Sequence, residues 1–135
     1  MTKKSMRIAG WAALGCLIAL GAGCKEDNPI TPPPKEPLEL LYPIGGESLM
    51  AGSTVVISWQ INDTNKVVGV VINLSLNNGM TFDTLINKGG SVFPPQTTFT
   101  WTTAAGHVST QCVIRIRDYN DYAVTDKSGA FTVHN

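Results

Sequence analysis

Beyond residue 37 the chain alternates apolar and polar side chains in short runs rich in valine, isoleucine and threonine, and Gly, Pro and Asn separate these runs. No window repeats at the helical period for more than a turn, whereas a period of two places successive side chains on opposite faces of a strand. The 98 residues of 38–135 are enough for one small domain. They are therefore predicted to form a single all-β domain.

Seven of the runs are long enough to be strands, and their spacing is typical of an antiparallel β-sandwich. They lie near residues 38–42, 54–60, 67–76, 80–86, 97–102, 111–118 and 129–134. The alternation predicts that the core is formed by Val55, Ile57, Trp59, Val70, Ile72, Leu74, Leu76, Cys112, Ile114 and Ile116. Their neighbours Ser58, Asn73, Ser75, Arg115 and Arg117 are expected to face water.

The hairpin between the third and fourth runs allows two registers, because directly opposed residues of an antiparallel pair share a face. A two-residue turn would oppose Leu74 to Asp83, whereas a three-residue loop at 77–79 would oppose Leu74 to Phe82. The second register keeps apolar side chains together and is the one predicted. It requires Gly79 to adopt the left-handed backbone conformation, as the bulge residue of the loop.

The first 24 residues have the pattern of a bacterial export signal. Residues 1–7 carry three basic side chains, and residues 8–22 are fifteen apolar or small residues. A run of fifteen is too short to span a bilayer, which takes roughly 20 apolar residues. The sequence Leu-Gly-Ala-Gly-Cys that follows, at 20–24, resembles the lipobox of bacterial lipoproteins. This resemblance implies a signal peptide at 1–23 and a lipid anchor on Cys24.

Two alternatives to lipidation at Cys24 stay open from the sequence. Cleavage before Cys16 would leave a shorter apolar core in the signal and an apolar flap on the mature chain. The other alternative is a signal peptide that is removed without lipidation.

Residues 24–37 are predicted to be the lipidated Cys and a stiff tether. Five of the eight prolines lie in 25–37, and thirteen residues of polyproline II at about 3.1 Å each reach roughly 40 Å. The start of the tether, Lys25-Glu26-Asp27, resembles a tag found after the lipidated Cys of some bacterial surface lipoproteins. The expected location is therefore the outer membrane, at the cell surface or, alternatively, facing the periplasm.

The charge balance beyond Cys24 argues against nucleic acid as a partner. That part of the chain carries seven Lys and Arg against ten Asp and Glu, a net charge of −3. A protein that holds phosphate backbones needs a cluster of basic residues, which the sequence does not show. The membrane, reached through the lipid anchor, and a surface glycan or protein are the expected partners.

Several runs of the domain together resemble a known family. The sequence at 42–49 contains Gly-Gly-Glu, the sequence at 51–59 contains Ala-Gly-Ser-Thr and ends on Trp, and the likeness continues within 70–82, 112–118 and 131–133. These runs are similar to the immunoglobulin-like Ser-Thr-rich domain of Knh-type cell-wall-synthesis proteins, which also occurs in many bacterial surface lipoproteins. The resemblance implies a seven-stranded immunoglobulin- or fibronectin-like antiparallel β-sandwich without catalytic residues.

The cysteines and histidines offer little chemistry. With Cys24 acylated, Cys112 has no partner for an internal disulfide, and the alternation suggests an inert core residue. A catalytic thiol would need a base, and His107 and His134 are the two candidates, both expected to be solvated.

Paired carboxylates are the other route to catalysis, with Glu39, Glu47, Asp83 and Asp118 as candidates. A small sandwich has little room for the cleft that an acid/base pair needs, and the sequence lacks GxSxG, HExxH and P-loop motifs. We therefore expect neither an enzyme nor a cofactor.

The densest polar and aromatic patch follows the run at 111–118, on the loop before the last strand. Its residues are Asp118, Tyr119, Asn120, Asp121, Tyr122 and Asp126. Three interpretations fit: an acidic turn that keeps the sheet edge soluble, tyrosines that stack on sugar rings, or carboxylates that bind calcium. The first is preferred, and no metal site is predicted.

Taken together, the sequence predicts a lipid-anchored protein of the cell envelope with a non-catalytic structural or adhesive domain. A carbohydrate-binding accessory module is the alternative, and a minimal glycan-acting enzyme is the least favoured.

Overall fold

Residues 32–135 are described in this computed structural model, and they contain nine strands and one short 3-10 helix. The predicted signal peptide, Cys24 and residues 25–31 of the tether lie outside the described residues. The strands are β1 (Leu38–Tyr42), β2 (Ser48–Met50), β3 (Thr54–Ile61), β4 (Val70–Ser75), β5 (Thr84–Leu85), β6 (Thr98–Thr102), β7 (Ser109–Asp118), β8 (Thr125–Lys127) and β9 (Phe131–His134). The 3-10 helix is Ala105–His107. Within 32–135, no helix has the length and apolar character needed to cross a membrane.

The strands form two sheets. One has three strands in the order β1-β3-β6, and the other has the order β2-β9-β7-β4-β5, with β8 paired to β7 beside β9. Every pair is antiparallel except β2 with β9, which is parallel. The buried core draws its side chains from both sheets, among them Trp59 and Ile57 of β3, Ile72 of β4 and Ile114 of β7. The protein is thus all-β, and two sheets that share one core are consistent with a β-sandwich.

The predicted inner faces of β3, β4 and β7 are confirmed. The side chains predicted to be internal are all buried, apart from Leu76, which is partly buried against the core. The complementary prediction for the outer face is wrong at β4, where Asn73 and Ser75 are also buried, while Ser58, Arg115 and Arg117 are half-buried. β4 is buried along its whole length on both faces, because later segments of the chain cover its outer side.

The predicted count of seven strands is not what the structure shows. Each predicted run contains a strand, but β2 and β8 are additional, and the run at 80–86 shrinks to the two residues of β5. β2 and β8 are three residues long, too short to show an alternating pattern. β2 forms by parallel pairing with β9, from Ser48–Thr132 to Met50–His134. Because β2 and β9 are far apart in the sequence, no local pattern of residues predicts their pairing.

The predicted register of the hairpin between β4 and β5 is wrong. Leu74 pairs with Thr84, and neither Phe82 nor Asp83 lies opposite it. The intervening loop is held by polar side chains, since the Ser75 hydroxyl accepts the backbone N–H of Gly79 at 2.8 Å. Such side-chain hydrogen bonds compete with the strand ladder and favour a wide loop over a tight turn.

The expectation for Gly79 nevertheless holds, because its φ is +84° and that of the preceding Asn78 is +62°. A Cβ at Gly79 would meet Phe82 Cζ at 3.7 Å, an ordinary contact, so the constraint at this position is the backbone conformation. Placing a β-branched side chain in the left-handed region costs roughly 1–2 kcal/mol.

We therefore expect Gly79→Val to lower the free energy of unfolding by about 2 kcal/mol. Gly106→Val is the matched control, because Gly106 has open space around its Cβ position and no left-handed φ. Urea denaturation of both variants measures the difference. Equal stability of the two variants would show that Gly79 is not held in this conformation in solution.

Candidate functional site

Asp118, the first residue of the predicted patch, is the last residue of β7 and is only 1% exposed. Its Oδ1 accepts the backbone N–H groups of Val68 at 2.6 Å and Gly69 at 3.2 Å. Its Oδ2 accepts those of Asn120 and Asp121, both at 2.9 Å. The carboxylate therefore ties the segment before β4 to the turn after β7.

The four N–H donors also decide the ionisation of this carboxyl group. Burial by itself raises the pKa of Asp118, but the hydrogen bonds from the Asp121, Val68, Gly69 and Asn120 amides outweigh burial and hold the pKa below its ordinary value. Each of these bonds favours the charged form. Asp118 is thus a charged anchor for two loops, with its oxygens occupied by backbone amides.

The other acidic residues of the patch also bind the backbone. Asp126 lies in β8, where its Oδ2 accepts the N–H of Leu40 in β1 at 2.8 Å and so joins the two sheets. Asp121 is exposed and accepts the N–H of Ala123 at 3.0 Å. Asn120 is exposed beside it. Within 32–135, no three His, Cys, Asp or Glu side chains are grouped so as to hold a metal ion.

Tyr119 and Tyr122 are the aromatic residues of the patch, and 58% and 69% of their surfaces are exposed. The Arg117 guanidinium lies over the Tyr122 ring, 3.8 Å from its centroid, and donates a hydrogen bond to the Asp118 carbonyl oxygen at 3.2 Å. A guanidinium in this position is attracted to the face of the ring. The stack orders two of the longest side chains on this surface.

These side chains form one wall of an open pocket of about 220 Å³, which we call the basic pocket. Its polar and aromatic members are Tyr119, Tyr122, Arg117 and Lys88, and its apolar surface comes from Val71 of β4 and Leu85 of β5. Gly90 and Ser91 complete the opposite wall. The pocket thus combines two tyrosine rings with two cations above the outer face of β4.

Asn87 fixes the wall opposite the tyrosines. It is 1% exposed, and its Oδ1 accepts the N–H of Ile72 at 2.9 Å. Its Nδ2 donates to the carbonyl oxygens of Val70 at 3.0 Å and Gly90 at 2.9 Å. These bonds hold the segment that carries Lys88 against β4. In the same way, Asp118 holds the segment that carries the tyrosines to the residues before β4.

The free thiol of Cys112 is buried, as predicted, and burial raises its pKa. Its Sγ lies 3.5 Å from the carbonyl oxygens of His107 and Ser109. His107 is half-buried, and its ring centroid lies 5.5 Å from that of Trp101 with the rings tilted by 44°. Its Nδ1 accepts the N–H of Ala104 at 3.0 Å. Burial and the nearby Lys88 charge lower the pKa of His107. His107 is therefore only partly solvated, rather than fully solvated as expected.

Three of the carboxylates considered as acid/base candidates bind neighbouring polar groups. Besides Asp118, Glu47 accepts the N–H groups of Ile44 and Gly45 at 2.9 and 2.8 Å. Asp83 accepts the Thr81 hydroxyl at 2.8 Å. Glu39 lies in β1, where it pairs with Gln60 of β3.

Sequence reasoning identified the tyrosines of the basic pocket but missed Lys88, Asn87 and the contribution of Arg117. Alternation along β7 predicts that the Arg117 side chain lies on the outer face, and the pairing of Arg117 with Val71 of β4 confirms this. Its place in the pocket could therefore have been inferred in part from the sequence. Lys88 and Asn87 follow β5 and approach β7 residues only through the fold, so no local pattern could have indicated them.

Comparisons of the chain with models of protein families, with curated proteins and with solved structures found no match.

Proposed function

We propose that this protein is anchored by a lipid on Cys24 in the bacterial cell envelope and carries a non-catalytic domain with a structural or adhesive role. The observation that carries the proposal is the order of the N-terminal segments: three basic residues, fifteen apolar or small residues, then small residues and Cys24. The proline-rich tether that follows would separate the folded domain from the lipid head groups. For the domain we propose an immunoglobulin-like sandwich, to which β2 and β8 add short edge strands.

The intact mass of the protein extracted from membranes tests the anchor. We expect a mass that begins at Cys24 and includes acyl chains. Cys24→Ser should remove the acyl mass, whereas Cys16→Ser should keep it, because Cys16 lies within the signal. Acylation that persists in Cys24→Ser would contradict the proposal.

Protease treatment of whole cells tests the orientation. Loss of the domain from intact cells would support display at the surface and an adhesive role. Protection until the outer membrane is opened would place the domain in the periplasm and favour a structural role there.

Carbohydrate binding is the second candidate function, and the basic pocket favours it. Exposed aromatic rings beside a few polar groups in a shallow pocket are typical of sites that hold a small polar ligand in a fixed orientation. Tyr119 and Tyr122 provide the rings, and Lys88 and Ser91 provide polar groups on the other side. Calorimetric titration with an oligomer of galacturonic acid and with its reduced form tests this candidate, and binding of neither would contradict it.

A further inference from the structure

The positive charges of the domain are concentrated on one face. Residues 32–135 contain six Lys and Arg against eight Asp and Glu. Arg117 and Lys88 line the basic pocket. Arg115 and Arg117 lie two residues apart on the outer face of β7, and Lys127 of β8 is directly opposite Arg115. Four of the six cations therefore lie across β8, β7 and the segment after β5, in a domain whose net charge is negative.

Two cations of this face, Arg115 and Arg117, are near each other, and the hydrogen bonds of their guanidinium groups go to neutral acceptors. Burial, followed by the charge of Arg117, lowers the pKa of Arg115. The hydrogen bond of the Arg115 guanidinium goes to the Asn73 amide oxygen at 3.1 Å, and that of Arg117 goes to a carbonyl oxygen. Neutral acceptors leave the positive charge uncompensated. A concave surface lined by one sign of charge attracts a ligand of the opposite sign.

The aromatic side chains indicate which class of negatively charged ligand fits the basic pocket. Tyr122 is 69% exposed although Arg117 covers part of its ring, so ring surface remains for a flat, hydroxyl-bearing ligand. Tyr119 is 58% exposed on the same wall, and its N–H is bound to the Gly69 carbonyl at 2.7 Å. A sugar ring can stack on such side chains while a carboxylate on the ring binds the cations, which a guanidinium does through paired hydrogen bonds.

The walls of the basic pocket are preorganised by hydrogen bonds within the protein. Asn87 and Asp118 are each 1% exposed, and between them they make seven hydrogen bonds that hold the two walls to β4 and β7. Rigid walls reduce the conformational entropy that binding costs. Fully buried polar anchors on both sides distinguish this surface from a chance meeting of exposed loops.

We propose that the basic pocket binds an acidic saccharide, a chain of sugar rings that carry carboxylates. The tyrosines contact one ring, Lys88 and Arg117 bind its carboxylate, and Lys127 extends the positive surface toward a neighbouring ring. This inference rests on the carbohydrate-binding function proposed above and names the class of saccharide.

Calorimetric titration of the full chain, purified in a non-ionic detergent, with an oligomer of galacturonic acid tests the inference. The control ligand is the same oligomer with its carboxyl groups reduced to alcohols. We expect the acidic oligomer to bind about tenfold more tightly than the reduced one at low salt. Added salt should weaken binding of the acidic oligomer, because screening acts on exposed charges.

Two variants and two controls assign binding to the basic pocket. Lys88→Ala should weaken binding of the acidic oligomer about fivefold, and Tyr122→Ala about tenfold. Tyr122→Phe keeps the ring and should bind within about twofold of the parent protein. Lys66→Ala removes an exposed cation before β4, away from the pocket lining, and should leave the affinity unchanged.

The possible results distinguish failure of the acidic-saccharide inference from failure of the carbohydrate-binding function. Equal binding of the reduced oligomer would overturn the acidic class while leaving carbohydrate binding in place. Equally tight binding of polyglutamate would overturn the saccharide and point to an acidic peptide. Binding of neither oligomer would overturn both the inference and the second candidate function, whereas the lipid anchor is tested separately by the intact mass.

Discussion

Replacement of Asp118 by alanine is expected to lower the free energy of unfolding by about 4 kcal/mol at neutral pH. The variant removes the acceptor of four backbone N–H groups at once, on two segments that are far apart in the sequence. The Gly69 donor is buried, and a buried donor left without an acceptor loses its hydration without compensation. Urea denaturation at pH 7 measures the loss.

The pH dependence of the same variant provides a second test. Because the pKa of Asp118 in the folded protein lies below its ordinary value of 3.8, the unfolded chain binds more protons between the two values. The stabilisation by Asp118 is therefore complete above the ordinary pKa and is lost as pH falls through the folded pKa. The stabilities of the parent protein and Asp118→Ala should therefore begin to converge as pH falls below about 4.

Asp121→Ala is the matched control for Asp118→Ala. Asp121 lies three residues later, is exposed, and accepts through its side chain the N–H of the nearby Ala123. Its replacement should change the free energy of unfolding by less than about 1 kcal/mol. A similar small loss in Asp118→Ala, with no convergence at low pH, would show that the carboxylate does not organise the two loops.

Asn87→Ala is expected to have the next largest effect, a loss of about 3 kcal/mol. The amide is fully buried and bonds one N–H donor and two carbonyl acceptors, two of these groups in β4. An alanine leaves the Ile72 N–H without its side-chain acceptor and the Gly90 carbonyl without its amide donor, and it leaves a void behind. The segment 87–91 would then be held to β4 by the flanking backbone hydrogen bonds alone, between Ile86 and Ile72 and between Val92 and Val70.

Asn65→Ala, at an exposed position before β4, is the control for Asn87→Ala and should be close to neutral. Hydrogen exchange of the Ile72 amide gives a local measurement, because Asn87 Oδ1 is the side-chain acceptor of that N–H. Faster exchange at Ile72 is expected in Asn87→Ala. Unchanged exchange together with unchanged stability would contradict the anchoring role.

The local pattern of the sequence was sufficient for the fold class and the core. The alternation that places Val55, Ile57 and Trp59 on one face of β3 depends only on the pleat of a strand, and all three are buried. The same argument correctly predicted that Ile114 and Ile116 of β7 are buried. It was wrong for Asn73 and Ser75, because whether an outer face is solvated depends on which distant segment covers it.

The candidate site was predicted only in part. The sequence selected the patch at 118–126, and Tyr119 and Tyr122 do lie exposed there. The preferred interpretation placed the Asp118 carboxylate in a solvated acidic turn, and the alternatives offered it to a ligand, whereas in the structure it binds backbone amides up to 50 residues away. A carboxylate offers the same chemistry for both purposes, and only the position of the N–H groups decides between them.

By itself, therefore, the sequence determined what is local: the strands with clear alternation and the left-handed conformation of Gly79, while the export signal and the proline tether stay predictions. The tertiary structure decided what depends on groups distant in the chain. It set the β4–β5 register, added β2 by pairing with β9, turned Asp118 and Asn87 into anchors, and brought Lys88 to Arg117. The physical reason is that periodicity reports the face on which a side chain lies, whereas hydrogen-bond partners and pockets depend on which chain segments fold against that face.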